Sequence, residues 1–243
     1  MKFMKIVGVV VGCLVVLTLA YGALLARPEP LFAYAHTRGD FVVHSRTPLG
    51  LRLDASLDSA GQRLAASPLH RPRQRHRVFV AGSWEWYSFL AGPGRRAMAK
   101  NYELGNSIFV PAVDTAAAQI VHFDGRREGV ANIVAHEAAH SDLQREAGGA
   151  IALWRLPFWK KEGYPEMVAY GDTLDAEEMH ALLTGSVGGL VNRRPGVMIP
   201  RRYVEAEAVW RVLLQNRGLS VRQVLDSSLD ARAVLKELAR STH

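Results

Sequence analysis

The chain has 243 residues, of which 49% are hydrophobic and 22% are charged. This composition supplies enough apolar side chains for a packed core and argues against an intrinsically disordered protein. The net charge of +7 is carried mostly by arginine and suits a basic surface beside a membrane, with a dedicated anion-binding site as the alternative. No nucleic-acid-binding motif accompanies that charge, so we expect no nucleic-acid partner.

The first 27 residues have the composition of a membrane segment. Lys2 and Lys5 precede an uncharged run from Ile6 to Ala26, and Arg27 ends it. At about 1.5 Å per residue the run reaches roughly 30 Å, which is the thickness of a bilayer core. The positive charges before the run favour a cytoplasmic N-terminus. We therefore expect a single-pass signal anchor over 1–27, with the rest of the chain outside the cytoplasm.

A cleaved signal peptide is the alternative, and it would give a secreted protein. The segment Ala20-Tyr21-Gly22 offers small residues at a suitable spacing for cleavage. The length of the apolar run favours the anchor. Cys13 is the only cysteine and lies inside this run, so the rest of the chain contains no disulfide and no thiolate ligand for a metal.

After the anchor, the pattern indicates an α+β fold with a small mixed sheet followed by helices. Residues 28–38 contain two prolines and are expected to be a linker, which leaves 39–243 as the folded domain. Strands are predicted at 41–44, 77–81, 106–110 and 119–123. Helices are predicted at 53–66, 128–146, 159–169, 175–183, 203–216 and 231–240.

The predicted helix over 128–146 carries the sequence H-E-A-A-H, in which His136 and His140 are four residues apart. This spacing places both imidazoles on one helix face, together with the apolar residues Ile133 and Leu143. Glu137 lies at the edge of that face. Two neutral imidazoles and a neighbouring carboxylate are the arrangement that a zinc peptidase needs. Two packed or capping histidines are the alternative interpretation.

A catalytic zinc site requires a third protein ligand. The spacing H-x-x-G-x-x-H of the metzincins does not follow the motif. The downstream segment W-K-K-E-G-Y-P-E instead offers two carboxylates four residues apart, Glu162 and Glu166, on the next predicted helix. Gly148 and Gly149 provide a turn through which that helix can run back beside the first one.

The two motifs together resemble the gluzincin zinc metallopeptidases, the thermolysin-like clan, and specifically its peptidase MA-like group. That group pairs H-E-x-x-H with a later W-x-x-E-G-x-x-E. The resemblance extends over roughly 77–240 and implies that Glu162 is the third ligand and Glu166 a supporting residue of the same helix. Pro165 and Met167 depart from the alanine and aromatic residue that such proteins often carry there.

The resemblance implies metal-assisted peptide hydrolysis with Zn²⁺ as cofactor and Glu137 as the general base. Such a reaction usually needs a second donor that stabilises the oxyanion. Tyr203, Tyr164 and Tyr170 are the candidates, although a tyrosine is more often a packing residue. His122, just before the zinc helix, is expected to be structural.

The sequence therefore predicts a membrane-anchored zinc metallopeptidase that acts on a peptide or protein substrate. We expect the strand at 107–110 to present an edge to which an extended peptide could pair. A catalytically inactive zinc-binding module and a basic membrane-surface protein with a fortuitous H-E-A-A-H remain as alternatives. The sequence leaves the substrate and the oligomeric state open.

Overall fold

The structure is a computed structural model that describes residues 2–50, 53–102, 105–171, 182, 189–192 and 198–241. The fold is α+β, as expected: a small mixed sheet precedes a mainly helical C-terminal region, and one apolar helix lies at the N-terminus. The helix predicted over 175–183 lies outside the described residues, apart from Leu182.

The N-terminal helix α1 comprises Lys2–Ala26. Its segment Met4–Ala26 has a mean hydropathy of 2.5, and only 6% of the most apolar stretch is buried. By length and composition α1 can cross a membrane, and a signal sequence has the same properties.

The main sheet has five strands in the order β1-β2-β3-β5-β4. The central strands β2, β3 and β5 are parallel, whereas β1 and β4 pair antiparallel at the two edges. This arrangement confirms the three strands predicted for this part of the chain. The strands are β1 (Tyr34–Arg38), β2 (Phe41–Ser45), β3 (His76–Val80), β4 (Lys100–Tyr102) and β5 (Ser107–Val110).

Two sequence-based expectations about this sheet are wrong. The expected linker 28–38 contains a short 3₁₀ turn and the edge strand β1, because Tyr34–Arg38 pairs along the whole of β2. The strand β5 offers no edge to a peptide, because it lies between β3 and β4 and its four side chains are all buried. A continuous apolar run is typical of such a central strand.

Two smaller antiparallel sheets are also present in the described part of the chain. Their strands are β6 (Val113–Asp114), β7 (Gln119–Val121), β8 (Arg127–Gly129), β9 (Leu190–Asn192) and β10 (Met198–Pro200). Strand β8 continues to Gly129, so the helix that carries the histidines begins at Val130 rather than at Glu128.

The remaining helices are α2 (Leu53–Ala65), α3 (Trp84–Ala91), α4 (Val130–Ala147), α5 (Ala150–Arg155), α6 (Phe158–Tyr170), α7 (Arg201–Arg211), α8 (Val221–Asp226) and α9 (Ala231–Ser241). Five of them, α2, α4, α6, α7 and α9, agree with the predictions within a few residues, whereas α3, α5 and α8 were not predicted from the sequence. Gly148 ends α4 in the left-handed conformation that favours glycine, with φ of 91°. A π-helical turn, Val212–Asn216, extends α7.

The main sheet separates two hydrophobic cores, because successive residues of a strand point to opposite faces. Val78 and Val80 belong to the larger core, in which α2, α4, α6 and α7 pack on one face. Phe79 and Ala81 belong to a second core on the other face, where α3 and the C-terminal end of α1 pack. Helix α4 and the end of the N-terminal helix thus lie on opposite faces of one sheet.

Candidate metal centre

Helix α4 brings His136 and His140 to the same side, one turn apart. The neighbouring alanines of α4, Ala135, Ala138 and Ala139, are fully buried and allow the helix to pack closely within the core. The side chains of the two histidines keep 13% and 14% of their surface exposed. Both imidazoles therefore lie in a packed environment that still has an opening to solvent.

Helix α6 places Glu162 opposite the two histidines. The next residue, Gly163, touches helix α7: a Cβ atom there would lie 2.3 Å from the carbonyl oxygen of Ala206 and 2.5 Å from Cδ1 of Trp210. The Trp210 indole also donates a hydrogen bond to the carbonyl oxygen of Trp159. The glycine after Glu162 thus permits the close contact between α6 and α7 that fixes the position of this glutamate.

Three potential ligand atoms converge, one each from His136, His140 and Glu162. The Nε2 atoms of the two histidines are 3.2 Å apart. The Oε2 atom of Glu162 lies 3.5 Å from Nε2 of His136 and 3.4 Å from Nε2 of His140. A tetrahedral ion with bonds of about 2.0–2.1 Å separates its ligand atoms by about 3.3–3.4 Å. The chemistry and spacing of this group therefore fit a metal ion.

Glu166 lies one turn after Glu162 on α6 and contacts the other side of His136. Its Oε2 atom is 3.0 Å from Nδ1 of His136, and the residue is only 5% exposed. A carboxylate that accepts the Nδ1 proton fixes the ring and leaves Nε2 free to bind a metal. This geometry gives Glu166 the supporting position rather than a place among the ligands.

A polar network lies behind Glu166. The Asn132 side chain, one turn before His136 on α4, donates a hydrogen bond of 2.6 Å to Glu128. Arg63 of α2 donates to the side-chain oxygen of Asn132 and to the carbonyl oxygen of Ala169. Burial raises the pKa of Glu128, and the negative charge of Glu166 adds to that effect. The network connects α2, α4, β8 and α6 around the site.

The charges at the site favour a bound cation. Burial lowers the pKa of His136, but its contacts with Glu162 and Glu166 outweigh burial and raise that pKa well above the ordinary value. Burial raises the pKa of Glu162, but His140 and His136 outweigh it and hold that pKa far below the ordinary value. Two carboxylates thus hold positive charge at this point of the protein interior.

Glu137 is 9% exposed and follows the first histidine directly. Among the residues that the structure describes, none forms a hydrogen bond or ion pair with its carboxylate. The pKa of the Tyr87 hydroxyl is raised by burial and further by the charge of Glu137, so α3 approaches this carboxylate. Glu137 is therefore available to a molecule that enters beside the histidines.

Of the three tyrosines considered from the sequence, Tyr203 lies close enough to the site for the charge of Glu162 to act on its hydroxyl. Burial and then the charge of Glu162 raise the pKa of Tyr203 to about 12. The Tyr164 hydroxyl lies 2.5 Å from the Ser67 hydroxyl in the main core. Tyr170 packs in a separate apolar cluster with Val204.

His122 has a structural position, as expected. Its ring is buried between the carbonyl oxygen of Arg95, at 3.0 Å, and the carboxylate of Asp124, at 2.9 Å. It holds the turn after α3 against the loop between β7 and β8.

Sequence reasoning missed two parts of the site. The Glu128–Asn132 pair could have been found from spacing, because Asn132, His136 and His140 repeat every four residues along one helix face. The packing role of Gly163 had no such signal, because its partner Ala206 is 43 residues away in the chain.

Comparison with models of protein families and with curated proteins gives no match in either case. The assignment of the candidate metal site therefore rests on the geometry of its residues alone. This geometry defines a half-buried group of two histidines and a glutamate, spaced as H-E-x-x-H with a downstream glutamate, that could hold a metal ion.

Proposed function

We propose that this protein is a membrane-anchored zinc metallopeptidase of the gluzincin type that hydrolyses peptide bonds in peptides or proteins. The convergence of the three ligand atoms beside the Glu137 carboxylate carries this proposal. Two imidazoles and one carboxylate, without a thiolate, form the ligand set of a catalytic zinc site. The ion that best fits separations of 3.2–3.5 Å is a tetrahedral one.

The residues around the ion have distinct roles in this mechanism. A bound zinc ion would polarise the scissile carbonyl and make a water molecule more acidic. The Glu137 carboxylate accepts a proton from that water and transfers it to the leaving amine nitrogen. The Tyr203 hydroxyl donates a hydrogen bond to the oxygen on which negative charge develops. Glu166 holds the proton on Nδ1 of His136, so that Nε2 can bind the metal.

Replacing Glu137 by glutamine tests this mechanism. Glutamine keeps the shape but cannot accept a proton, so hydrolysis should fall by about 10²–10⁴-fold while the zinc content stays at about one ion per chain. A mixed peptide library with mass-spectrometric detection provides the substrate, and Glu146→Gln on the same helix is the control. Equal cleavage by wild type and Glu137→Gln would refute the mechanism. Firmly bound zinc without any cleavage by wild type would favour the inactive zinc-binding module.

We further propose that α1 anchors the protein with its C-terminal domain outside the cytoplasm. Lys2 and Lys5 before the apolar run support this topology through the positive-inside tendency. Reporter enzymes fused to the C-terminus test it: a reporter that requires the extracytoplasmic side should be active. Activity only of a cytoplasmic reporter would reverse the topology and exclude an extracytoplasmic substrate.

A further inference from the structure

The C-terminal end of α1 is part of the folded domain. Leu25 is 6% exposed and belongs to the second hydrophobic core. The guanidinium of Arg77 donates a hydrogen bond of 3.0 Å to the carbonyl oxygen of Ala26. At Gly105 a Cβ atom would lie 2.7 Å from Cα of Ala26, so the loop before β5 touches the helix backbone.

Two further contacts lie deeper along α1, toward its N-terminus. The Tyr102 hydroxyl is 3.4 Å from the carbonyl oxygen of Gly22. The Tyr21 hydroxyl donates a hydrogen bond to the carbonyl oxygen of Phe89, and the two rings pack edge to face with centroids 5.3 Å apart. Tyr21 is five residues before Ala26, which corresponds to about 7.5 Å along the helix axis. Of these contacts, the one made by the C-terminal end of α3 therefore lies farthest toward the N-terminus of α1.

The length of the apolar run determines where this part of the domain lies relative to a membrane. Ile6–Ala26 spans about 31 Å, close to the thickness of the hydrocarbon core. If the hydrocarbon core ended on the N-terminal side of Tyr21, it would contain only Ile6–Ala20. These fifteen residues span only about 22 Å. A membrane of ordinary thickness therefore overlaps the level at which Phe89 contacts α1.

The residues that neighbour Phe89 in space or in the chain have the composition of a membrane–water boundary. Phe89 is 42% exposed, and Trp86 is half-buried beside it. The exposed Arg46 places its guanidinium 4.6 Å from the centre of the Trp86 ring. Arg95 and Arg96 are exposed in the turn after α3, and neither forms an ion pair with any residue in the described part of the chain. Aromatic rings with neighbouring arginines are enriched at lipid headgroups.

We propose that Trp86, Phe89, Arg46, Arg95 and Arg96 form an interfacial surface that lies in the headgroup layer of the membrane crossed by α1. The two aromatic side chains enter the boundary between headgroups and acyl chains, and the three guanidiniums bind the phosphates of anionic phospholipids. The proposal rests on α1 being retained as an anchor. It is independent of whether the metal centre hydrolyses peptides.

Spin-label accessibility on the full chain in lipid nanodiscs tests the depth of this surface. In a Cys13→Ala background, single labels are placed by Phe89→Cys, by Leu14→Cys within the anchor, and by Gln62→Cys on α2 as a control. The labels at 14 and 89 should collide more often with oxygen than with an aqueous nickel reagent, and the label at 62 should show the reverse.

The three labels separate the ways in which the proposal can fail. A label at 89 as water-accessible as the label at 62, with the label at 14 in lipid, would leave the anchor intact and overturn the interfacial surface. A water-accessible label at 14 would overturn both. Neither result depends on peptide hydrolysis, so the proposed enzymatic activity is tested separately.

A second measurement leaves Phe89 in place and tests the charges. Brominated lipids in the nanodisc should quench the fluorescence of wild type more than that of Trp86→Phe, with brominated phosphatidylglycerol more effective than brominated phosphatidylcholine. The variant Arg95→Gln/Arg96→Gln should lower the preference for phosphatidylglycerol over phosphatidylcholine by about fivefold for each charge removed. The pair Arg232→Gln/Arg240→Gln on α9, which packs beyond α7 on the other face of the sheet, should leave it unchanged. An equal preference for phosphatidylglycerol in wild type and in both double arginine variants would show that Arg95 and Arg96 do not bind headgroups.

Discussion

At the scale of single residues, the candidate metal centre includes a carboxylate outside the group of three potential ligands. Glu166 contacts Nδ1 of His136 at 3.0 Å, while Nε2 of the same ring points to the other ligand atoms. The four-residue spacing between Glu162 and Glu166 puts both carboxylates on one face of α6, so that one helix supplies a potential ligand and a carboxylate that contacts another potential ligand. Their positions differ in what they face on α4: Glu162 faces the Nε2 atoms of both histidines, whereas Glu166 faces Nδ1 of His136.

Removing the Glu166 carboxylate should weaken metal binding without abolishing it. With Glu166→Ala, His136 loses the acceptor for its Nδ1 proton, and the affinity for zinc should fall by about 10–100-fold. Competition with a chelator of known affinity measures this change. The variant Glu146→Ala, on the same helix as the histidines but nine residues beyond Glu137, should bind zinc as wild type does. If Glu166→Ala lost the metal entirely while Glu162→Ala retained it, the ligand and the supporting residue would have to be exchanged.

At the scale of elements, the site requires α6 to lie against both α4 and α7. Gly163 makes the second contact possible, because its missing side chain leaves room for the backbone of α7 at Ala206. Pro165 is accommodated inside α6, which continues as a helix to Tyr170. The departure from the family pattern at Pro165 therefore leaves the helix that carries both carboxylates intact.

A methyl group at Gly163 should separate the two helices. Because a Cβ atom would lie 2.3 Å from a backbone oxygen, Gly163→Ala should destabilise the fold by about 1–3 kcal/mol and reduce zinc affinity through displacement of Glu162. Urea unfolding measures the stability.

The matched control is Gly61→Ala in α2, where the nearest atom to a new Cβ is 3.8 Å away. That substitution should stabilise the protein by about 0.5–1 kcal/mol, since alanine is a better helix former than glycine. If both substitutions had the same effect, the close approach of α6 and α7 would be absent in solution.

At the scale of the whole molecule, the end of the N-terminal helix and the domain that follows it form one folded unit. The main sheet packs α4 on one face and the end of α1 on the other, and β4 contacts both. Asn101 of β4 donates a hydrogen bond to Ser141, directly after His140, while the neighbouring Tyr102 reaches Gly22 of α1. Two adjacent residues of β4 thus connect α1 to the helix that carries the two histidines.

Two truncated chains should therefore differ in stability. A fragment that begins at residue 21 keeps Leu25, Leu31 and Phe32 in the second core, whereas one that begins at residue 33 lacks all three. The shorter fragment should be less stable by at least about 2 kcal/mol, the value for burying one large apolar side chain. Urea unfolding of both fragments measures the difference. Equal stabilities would mean that α1 is only tethered to the domain.

The sequence by itself determined the features that depend on local periodicity. The apolar run of α1, the two histidines on one face of α4 and the two carboxylates on one face of α6 follow from the rise and turn of an α-helix. The resemblance to the gluzincins identified Glu162 as the third member of the group, and the structure brings it to the histidines.

Only the tertiary structure decided how distant segments meet. It placed β1 within 28–38, put β4 rather than β5 at the edge of the sheet, and placed the Tyr203 hydroxyl where the charge of Glu162 acts on it. It also made the end of α1 part of the second core. The order of strands and the convergence of side chains depend on packing between residues far apart in the chain. A helical or strand period specifies which face of an element is apolar, but not which element covers that face.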